Sequence, residues 1–285
     1  MDIISHGVSD VGLQREHNED SFCILPEFEL YIVADGMGGH KAGDVASKMA
    51  THAIASFFQA TASEDATWPF HFDPHLSVEE NRLITGIKVA NKKIFEASAR
   101  HSDVQGMGTT VVGALFSKSH NKVYVAHVGD SRCYRVRNDE ITLLTRDHSL
   151  VNDYLLVMPD MTQEQKDELP KNVITRALGM QDTVVVDLVP EQPKAGDFYV
   201  LCSDGLSGMI GDDTIKAAIE EAGSVEAGAT KLVELANAAG GEDNITVVVV
   251  KIAAAEGGDD GDEGEEATSP AEPEDGATSE EPPSD

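Results

Sequence analysis

Basic side chains are scarce in this sequence: 21 Lys and Arg stand against 51 Asp and Glu, a formal net charge of −30. Nucleic-acid binding wants a basic footprint, so the balance argues against that class. Long apolar runs are missing too. None approaches the ~20 residues of a membrane span, and Met1-Asp-Ile-Ile-Ser-His6 has neither the basic nor the apolar region of a signal peptide. Cysteine is rare and odd in number. Cys23, Cys133 and Cys202 have no paired spacing and read as small core residues in a reducing compartment, not as a disulfide or zinc framework. The expectation is a cytoplasmic protein with no membrane and no nucleic-acid partner. There is also no G-x-S-x-G elbow and no cysteine in a glycine-rich anion loop, so a Ser or Cys nucleophile has no visible machinery.

What is present is an ordinary globular composition, 41% hydrophobic over 285 residues, enough to bury a core. The acid excess is concentrated at one end. Residues 252–285 hold 13 acids and no base, leaving 38 acids against 21 bases in the body. A stretch of Gly, Glu, Asp, Ser, Pro and Ala buries too little apolar surface to offset its ordering entropy. We therefore expect a folded domain over 1–252 and a disordered acidic tail over 253–285, compatible with a solubilising role.

Strand-like segments are expected at 2–9, at 20–25, and from there, after a turn near Pro26, through Ala34. Apolar residues from Val45 to Phe58 recur at helical spacing. Ser77-Val-Glu-Glu80 is a capping box that opens a second helix, ending near Arg100. Val111–Phe116, Lys122–Val128, Cys133–Arg137 and Ile141–Leu144 follow with tight turns and no crossover helix. They predict an antiparallel meander and rule out a doubly wound sheet. Residues 147–180 break this pattern and read as a mostly helical, exposed insert. Strands are then expected at 183–189, stopped by Pro190, at 198–203 and at 245–252, with two helices over 213–222 and 225–239. The class is α+β.

Carboxylates sit where strands stop. Tyr31-Ile-Val-Ala-Asp35-Gly36 is an apolar run ending in an acid and then glycine, and Asp204-Gly205 and Asp243-Asn244 repeat the arrangement. Asp20 and Asp130 hold similar boundary positions. Any one Asp-Gly is more commonly a plain turn. Acids that converge from separate strands repel unless something positive lies between them. Oxygen donors without a His or Cys cluster favour Mg²⁺ or Mn²⁺ over Zn²⁺. Three or more carboxylates can hold two such ions, whose bridging water is a hydroxide near neutral pH.

Six segments in order resemble one family, the metal-dependent (type 2C) serine/threonine protein phosphatases in their bacterial form. They are Arg15-x-x-Asn-Glu-Asp20, Asp35-Gly-Met-Gly-Gly-His40, Gly106-Met-Gly-Thr-Thr110, Gly129-Asp-Ser-Arg132, Cys202-Ser-Asp-Gly-Leu206 and Gly241-Glu-Asp-Asn-Ile-Thr246. The resemblance implies two packed antiparallel β-sheets flanked by pairs of helices, a four-layer α-β-β-α sandwich. It implies that Asp35 bridges two Mn²⁺ or Mg²⁺ ions, that the Gly36 carbonyl ligates one of them, and that Asp204 and Asp243 complete the other. Glu19 and Asp20 would act largely through metal waters, Asp130 would hold a third, weaker ion, and Arg15 would clamp the substrate phosphate. A guanidinium fork matches phosphate oxygens on its own chemistry. The implied reaction is hydrolysis of phosphoserine and phosphothreonine in proteins by a hydroxide that attacks phosphorus directly, reversing Ser/Thr kinase signalling. Partners would be kinases and their phosphorylated substrates, and the expected state is a monomer. Many eukaryotic members have His where this chain has Met37. His40 is more readily a loop histidine than a general acid, and His127 and His148 read as structural. Residues 147–178 match the family's variable flap and are expected to shape substrate choice. Two alternatives are a phosphatase dedicated to a single anti-sigma-type regulator and a non-catalytic phosphoprotein-binding module. Intact Asp35, Asp204 and Asp243 argue against the second.

Overall fold

Val247, Val248, Val249 and Val250 are all buried. A strand turns successive side chains to opposite faces, so such a run needs cover on both sides. That requirement sets the architecture. The computed structural model describes residues 2–38, 42–63, 68–170 and 173–253. The expected tail lies outside the described residues, apart from Ala253, which ends the last strand.

Along the chain run β1 (Asp2–Asp10), β2 (Asp20–Leu25), β3 (Leu30–Met37), α1 (Ala42–Ala60), α2 (Val78–Arg100), β4 (Gly108–Thr109), β5 (Val111–Ser117), β6 (Lys122–Val128), β7 (Arg132–Arg137) and β8 (Glu140–Leu143). They are followed by α3 (Leu150–Val157), α4 (Gln163–Glu168), β9 (Asp187–Glu191), β10 (Phe198–Cys202), α5 (Asp204–Ser207), α6 (Asp212–Glu221), α7 (Val225–Ala238) and β11 (Ile245–Ala253). One sheet has the order β1-β11-β10-β7-β8. The other has β2-β3-β5-β6-β9, with β4 paired to β3, and every ladder is antiparallel.

Three apolar cores separate four layers. Tyr31, Val33, Val112 and Val125 of one sheet meet Cys133, Tyr199, Leu201, Val248 and Val250 of the other. The opposite face of the first sheet (Leu30, Ile32, Ala34) packs on Ile54 and Phe58 of α1 and Leu83 and Ile87 of α2. The opposite face of the second (Val200, Val247, Val249) packs on Ile215 of α6 and Leu232 of α7. This is the expected α-β-β-α sandwich. Ser77 caps α2 with the predicted box: its hydroxyl accepts the Glu80 amide, and the Glu80 carboxylate accepts the Ser77 amide. All three cysteines are free thiols.

Two expectations are corrected. The four strands from Val111 onward are not one meander: β5 and β6 lie in one sheet and β7 and β8 in the other, so Gly129–Ser131 carries the chain between sheets. The strand near 183–189 starts only at Asp187 and runs through Pro190, which pairs with Tyr124. β9 is a sheet edge, where a residue without an N–H costs no ladder bond.

Between β8 and β9 the chain forms two short helices, α3 and α4. α3 buries none of its eight residues, and Thr162 caps α4 with a second capping box.

Candidate active site

The acids gather where both sheets present strand ends. Asp20 opens β2 and stands directly opposite Asp35 across the β2–β3 ladder. Asp204 follows β10 and begins α5, and Asp243 precedes β11. Asp130 lies on the crossing between the sheets. The carboxyls of Asp35 and Asp204, carried by different sheets, come close enough to shift each other's protonation.

Close backbone approach makes this gathering feasible. A Cβ at Gly36 would fall 2.1 Å from the Gly43 carbonyl oxygen, and one at Gly205 would fall 2.0 Å from that of Asn244. Only glycine after each aspartate leaves room for the neighbouring main chain. The Gly36 amide donates to the Glu19 carbonyl at 3.1 Å, so Glu19 is tied beside Asp35 through the backbone.

The electrostatics are those of acids held together against their repulsion. Burial pushes Asp35 well above the usual carboxylate range, and Asp20, Asp204 and Asp130 push it further. Burial raises Asp20 to about 7, with Asp204 and Asp243 adding to the rise and hydrogen bonds from Ser203 and Thr246 opposing it. Asp130 is likewise raised to about 7 by burial and then by Asp204 and Asp147. Asp204 and Glu19 are raised for the same first reason. Asp130 Oδ1 and Glu19 Oε1 are buried with no hydrogen-bond partner among the described residues. Orphaned carboxylate oxygens within a set of oxygen donors suit a hard divalent cation, so the residues present fit Mn²⁺ or Mg²⁺.

Arg15, from the loop between β1 and β2, donates from Nη2 to Asp243 Oδ2 at 2.7 Å and from Nε to the Glu242 carbonyl at 3.4 Å. Its side chain is half exposed at the rim of the acids. Met37 ends β3, paired with Gly108. His40 lies outside the described residues.

Several residues that hold this arrangement lie inside the motifs quoted above, but their supporting bonds are visible only in the fold. Asn244 donates to the carbonyls of Val11 and His17, both at 2.9 Å, and accepts the Glu19 amide at 2.7 Å. It thereby fixes the loop that carries Arg15 and Glu19. Ser203 donates to Asp20 Oδ2 at 2.7 Å. Thr110 donates its amide to the Asp35 carbonyl at 2.8 Å and accepts the Asp35 amide at its hydroxyl. Lone polar residues in turns look alike until the partner strand is known.

A cleft of about 580 Å³ is bounded by Met37, two residues on from Asp35, and by Arg176, Ala177, Met180 and Val185. Close to it, His127, His148 and Asp187 bring three possible metal donors within 4.8 Å of one another. His148 Nδ1 is already taken by the Gly129 amide at 2.9 Å, which leaves the ring proton of a neutral imidazole on Nε2. Arg176 supplies positive charge between His148 and Asp187. We therefore assign this trio a structural part. Burial pushes both histidines down towards neutrality, His127 and Arg176 adding to the effect at His148.

The sequence model described as "Protein phosphatase 2C" matches residues 13–238. The chain belongs to the protein phosphatase 2C family. Among this phosphatase's relatives, the serine/threonine phosphatase stp of Listeria monocytogenes serotype 4b is 36% identical over 251 residues, covering 85% of this chain and 93% of the relative. The serine/threonine protein phosphatase PstP of Mycobacterium tuberculosis is 36% identical over 245 residues, or 86% of this chain and 44% of that longer protein. The crystal structure of M. tuberculosis PstP superposes with a TM-score of 0.75 at 35% identity, covering 88% of this chain and 99% of that one. The PstP catalytic domain in complex with two manganese ions gives 0.73 at 34%, with coverage of 88% and 99%. Among the described residues, no helix is long and apolar enough to cross a membrane.

Proposed function

We propose that this phosphatase hydrolyses phosphoserine and phosphothreonine in proteins by a metal-dependent attack of water on phosphorus, without a phosphoenzyme. The convergence of Asp20, Asp35, Asp130, Asp204 and Asp243 from separate strands and turns carries the reading, because nothing in ordinary packing rewards mutual repulsion among acids.

Asp35, the Gly36 carbonyl, Asp204 and Asp243 would hold two Mn²⁺ or Mg²⁺ ions, Asp20 and Glu19 would orient the waters around them, and Asp130 would help hold a third. When bound, such ions supply an activated water and offset the charge on the equatorial phosphate oxygens. Arg15, at the exposed rim, is within reach of both Asp243 and an incoming phosphate, and its guanidinium would orient that phosphate in line. The cleft between Met37 and the returning end of the flap would receive residues on one side of the phosphorylated side chain, so that segment would shape substrate choice. The substrates would be phosphoproteins made by Ser/Thr kinases, met by a monomer in the cytoplasm.

Hydrolysis of an aryl phosphate with and without Mn²⁺ tests the reading. Activity should require the ion and should fall about 10³-fold in Asp204→Asn, the equivalent of ~4 kcal/mol of lost transition-state stabilisation. A wild-type protein that binds Mn²⁺ yet hydrolyses nothing would instead favour a phosphoprotein-binding module.

A further inference from the structure

The charges on α2 run against those of the rest of the chain. The body carries far more acid than base, yet Lys88, Lys92 and Lys93 fall in a stretch of α2, from Leu83 to Phe95, that has no acid at all. Beside it, α1 has a single acid, Asp44 in its first turn, and that is paired with Lys48. Glu96 is taken by Arg100 at 2.9 Å. Lys92 and Lys93 are exposed, and among the described residues no carboxylate pairs with either.

These two lysines stand at the rim of a groove of about 500 Å³ between α1 and α2. Helical spacing builds it. Ala53, Phe57 and Ala60 recur at four and three residues along α1, and Lys92 and Lys93 follow Val89 by three and four along α2, so each set shares one face of its helix. The two alanines leave the space, and Phe57 and Val89 make its floor apolar. Phe57 also meets Trp68 edge-on, ring centroids 5.9 Å apart.

The groove is remote from the acids of the active site but joined to them by one rigid element. Gly43, in the first turn of α1, lies against Gly36 and the Glu19 carboxylate. Phe57 is ~20 Å further along the same helix at 1.5 Å per residue. About six residues of extended chain span that distance.

We propose that the α1–α2 groove docks an acidic segment of the phosphoprotein substrate, one that carries a bulky apolar side chain and lies at least about six residues from the phosphorylated residue. This deepens the phosphatase reading and rests on it. The floor takes the apolar anchor, and Lys92 and Lys93 take the flanking carboxylates. Charge complementarity selects this occupant. The protein as a whole repels acidic chains, but at 0.1 M salt that field is screened beyond ~10 Å, and the two unpaired lysines act inside that range. The chain's own acidic stretch, residues 253–285, has the charge but no bulky apolar residue to fill the floor. A second copy docked groove to groove would set lysine against lysine.

Trp68 is the sole tryptophan and packs on Phe57, so its fluorescence reports occupancy of the groove without hydrolysis. The probe is a synthetic peptide with one phenylalanine flanked by glutamates. It is titrated unphosphorylated and, for kinetics, is joined through about ten Gly and Ser residues to a phosphothreonine sequence. The full chain is compared as wild type, as Lys92→Glu with Lys93→Glu, and as Ala60→Phe, which fills one end of the groove. All three positions are exposed, so the variants should keep the fold. In wild type the probe should shift Trp68 emission saturably, and the joined peptide should have a KM roughly 10-fold below that of the phosphothreonine sequence alone, at unchanged kcat. Both variants should lose the shift and the KM gain while hydrolysing the short phosphopeptide and an aryl phosphate as before. Serine in place of the probe's phenylalanine should abolish the shift, and about 1 M salt should weaken it. Equal KM for joined and short peptides, or a shift that survives the charge reversal, would overturn the proposal. Tighter probe binding after removal of residues 254–285, or a wild-type dimer that both variants dissolve, would overturn it too, by giving the groove to another part of this chain or to a second copy. A wild type that shows the shift but hydrolyses neither phosphopeptide would sink the phosphatase reading and leave the acidic-segment site standing.

Discussion

The strands beneath the acids and the flap beside them treat apolar residues in opposite ways. Ile245 to Val250 of β11 are six consecutive buried positions, sealed on one face by α7 and on the other by the sheet that holds β3, β5 and β6. The eight residues of α3 bury none, leaving Leu156 and Val157 63% and 81% exposed. Mutually repelling carboxylates stay together only if the backbone that carries them cannot relax, and a doubly covered strand provides that stiffness. A surface that meets changing protein partners gains from apolar side chains left uncommitted.

Truncation should separate the two regions most sharply. Leu201→Ala, between the sheets, should cost ~2–5 kcal/mol of unfolding free energy. Leu156→Ala should stay within about 0.5 kcal/mol, as exposed substitutions do. Equal losses in denaturant titration would break the contrast. Arg15 lies between these extremes, anchored to the rigid acids yet facing solvent. Arg15→Ala should lower kcat/KM for phosphopeptides by roughly 10- to 100-fold, the ~1.5–3 kcal/mol of a charge-assisted hydrogen bond, while Mn²⁺ still binds. A loss of Mn²⁺ binding would make Arg15 a support for Asp243 instead of a phosphate clamp. The subtlest effect belongs to the flap. Exchanging 147–178 for the equivalent segment of another family member should leave aryl phosphate hydrolysis in place and change the ranking of a phosphopeptide panel. An unchanged ranking would remove the flap from substrate choice.

Much of this molecule is legible in its sequence because the signals are local. The capping boxes at Ser77 and Thr162 and the apolar strand runs need only neighbours along the chain. Which sheet a strand joins is not a local property. Gly129-Asp130-Ser131 has the spacing of a tight turn, and only the packed structure makes it a crossing between sheets. Pro190 looks like a stop until β9 is found at an edge. The motifs single out Asp35, Asp204 and Asp243, and the fold brings Asp35 and Asp243 close enough to Asp204 to shift its protonation. The supports Asn244, Ser203, Thr110 and His148 act across long sequence separations, and nothing in a single polar residue announces such a partner.

The central claim, that acids crowded by both sheets are poised to trade protons for divalent cations, can be measured directly by Mn²⁺ calorimetry across pH in buffers of different ionisation enthalpy. Asp20 and Asp130 are raised to about 7, so metal-free folded protein holds protons there that an unfolded chain releases near pH 4. Its stability should therefore fall as pH rises from about 4 to 7, and Mn²⁺ should restore it. Binding should release protons below about pH 7, tighten with pH up to that point, and lose its tight component in Asp35→Asn. Mn²⁺ binding without proton release, equally tight in Asp35→Asn, would contradict it.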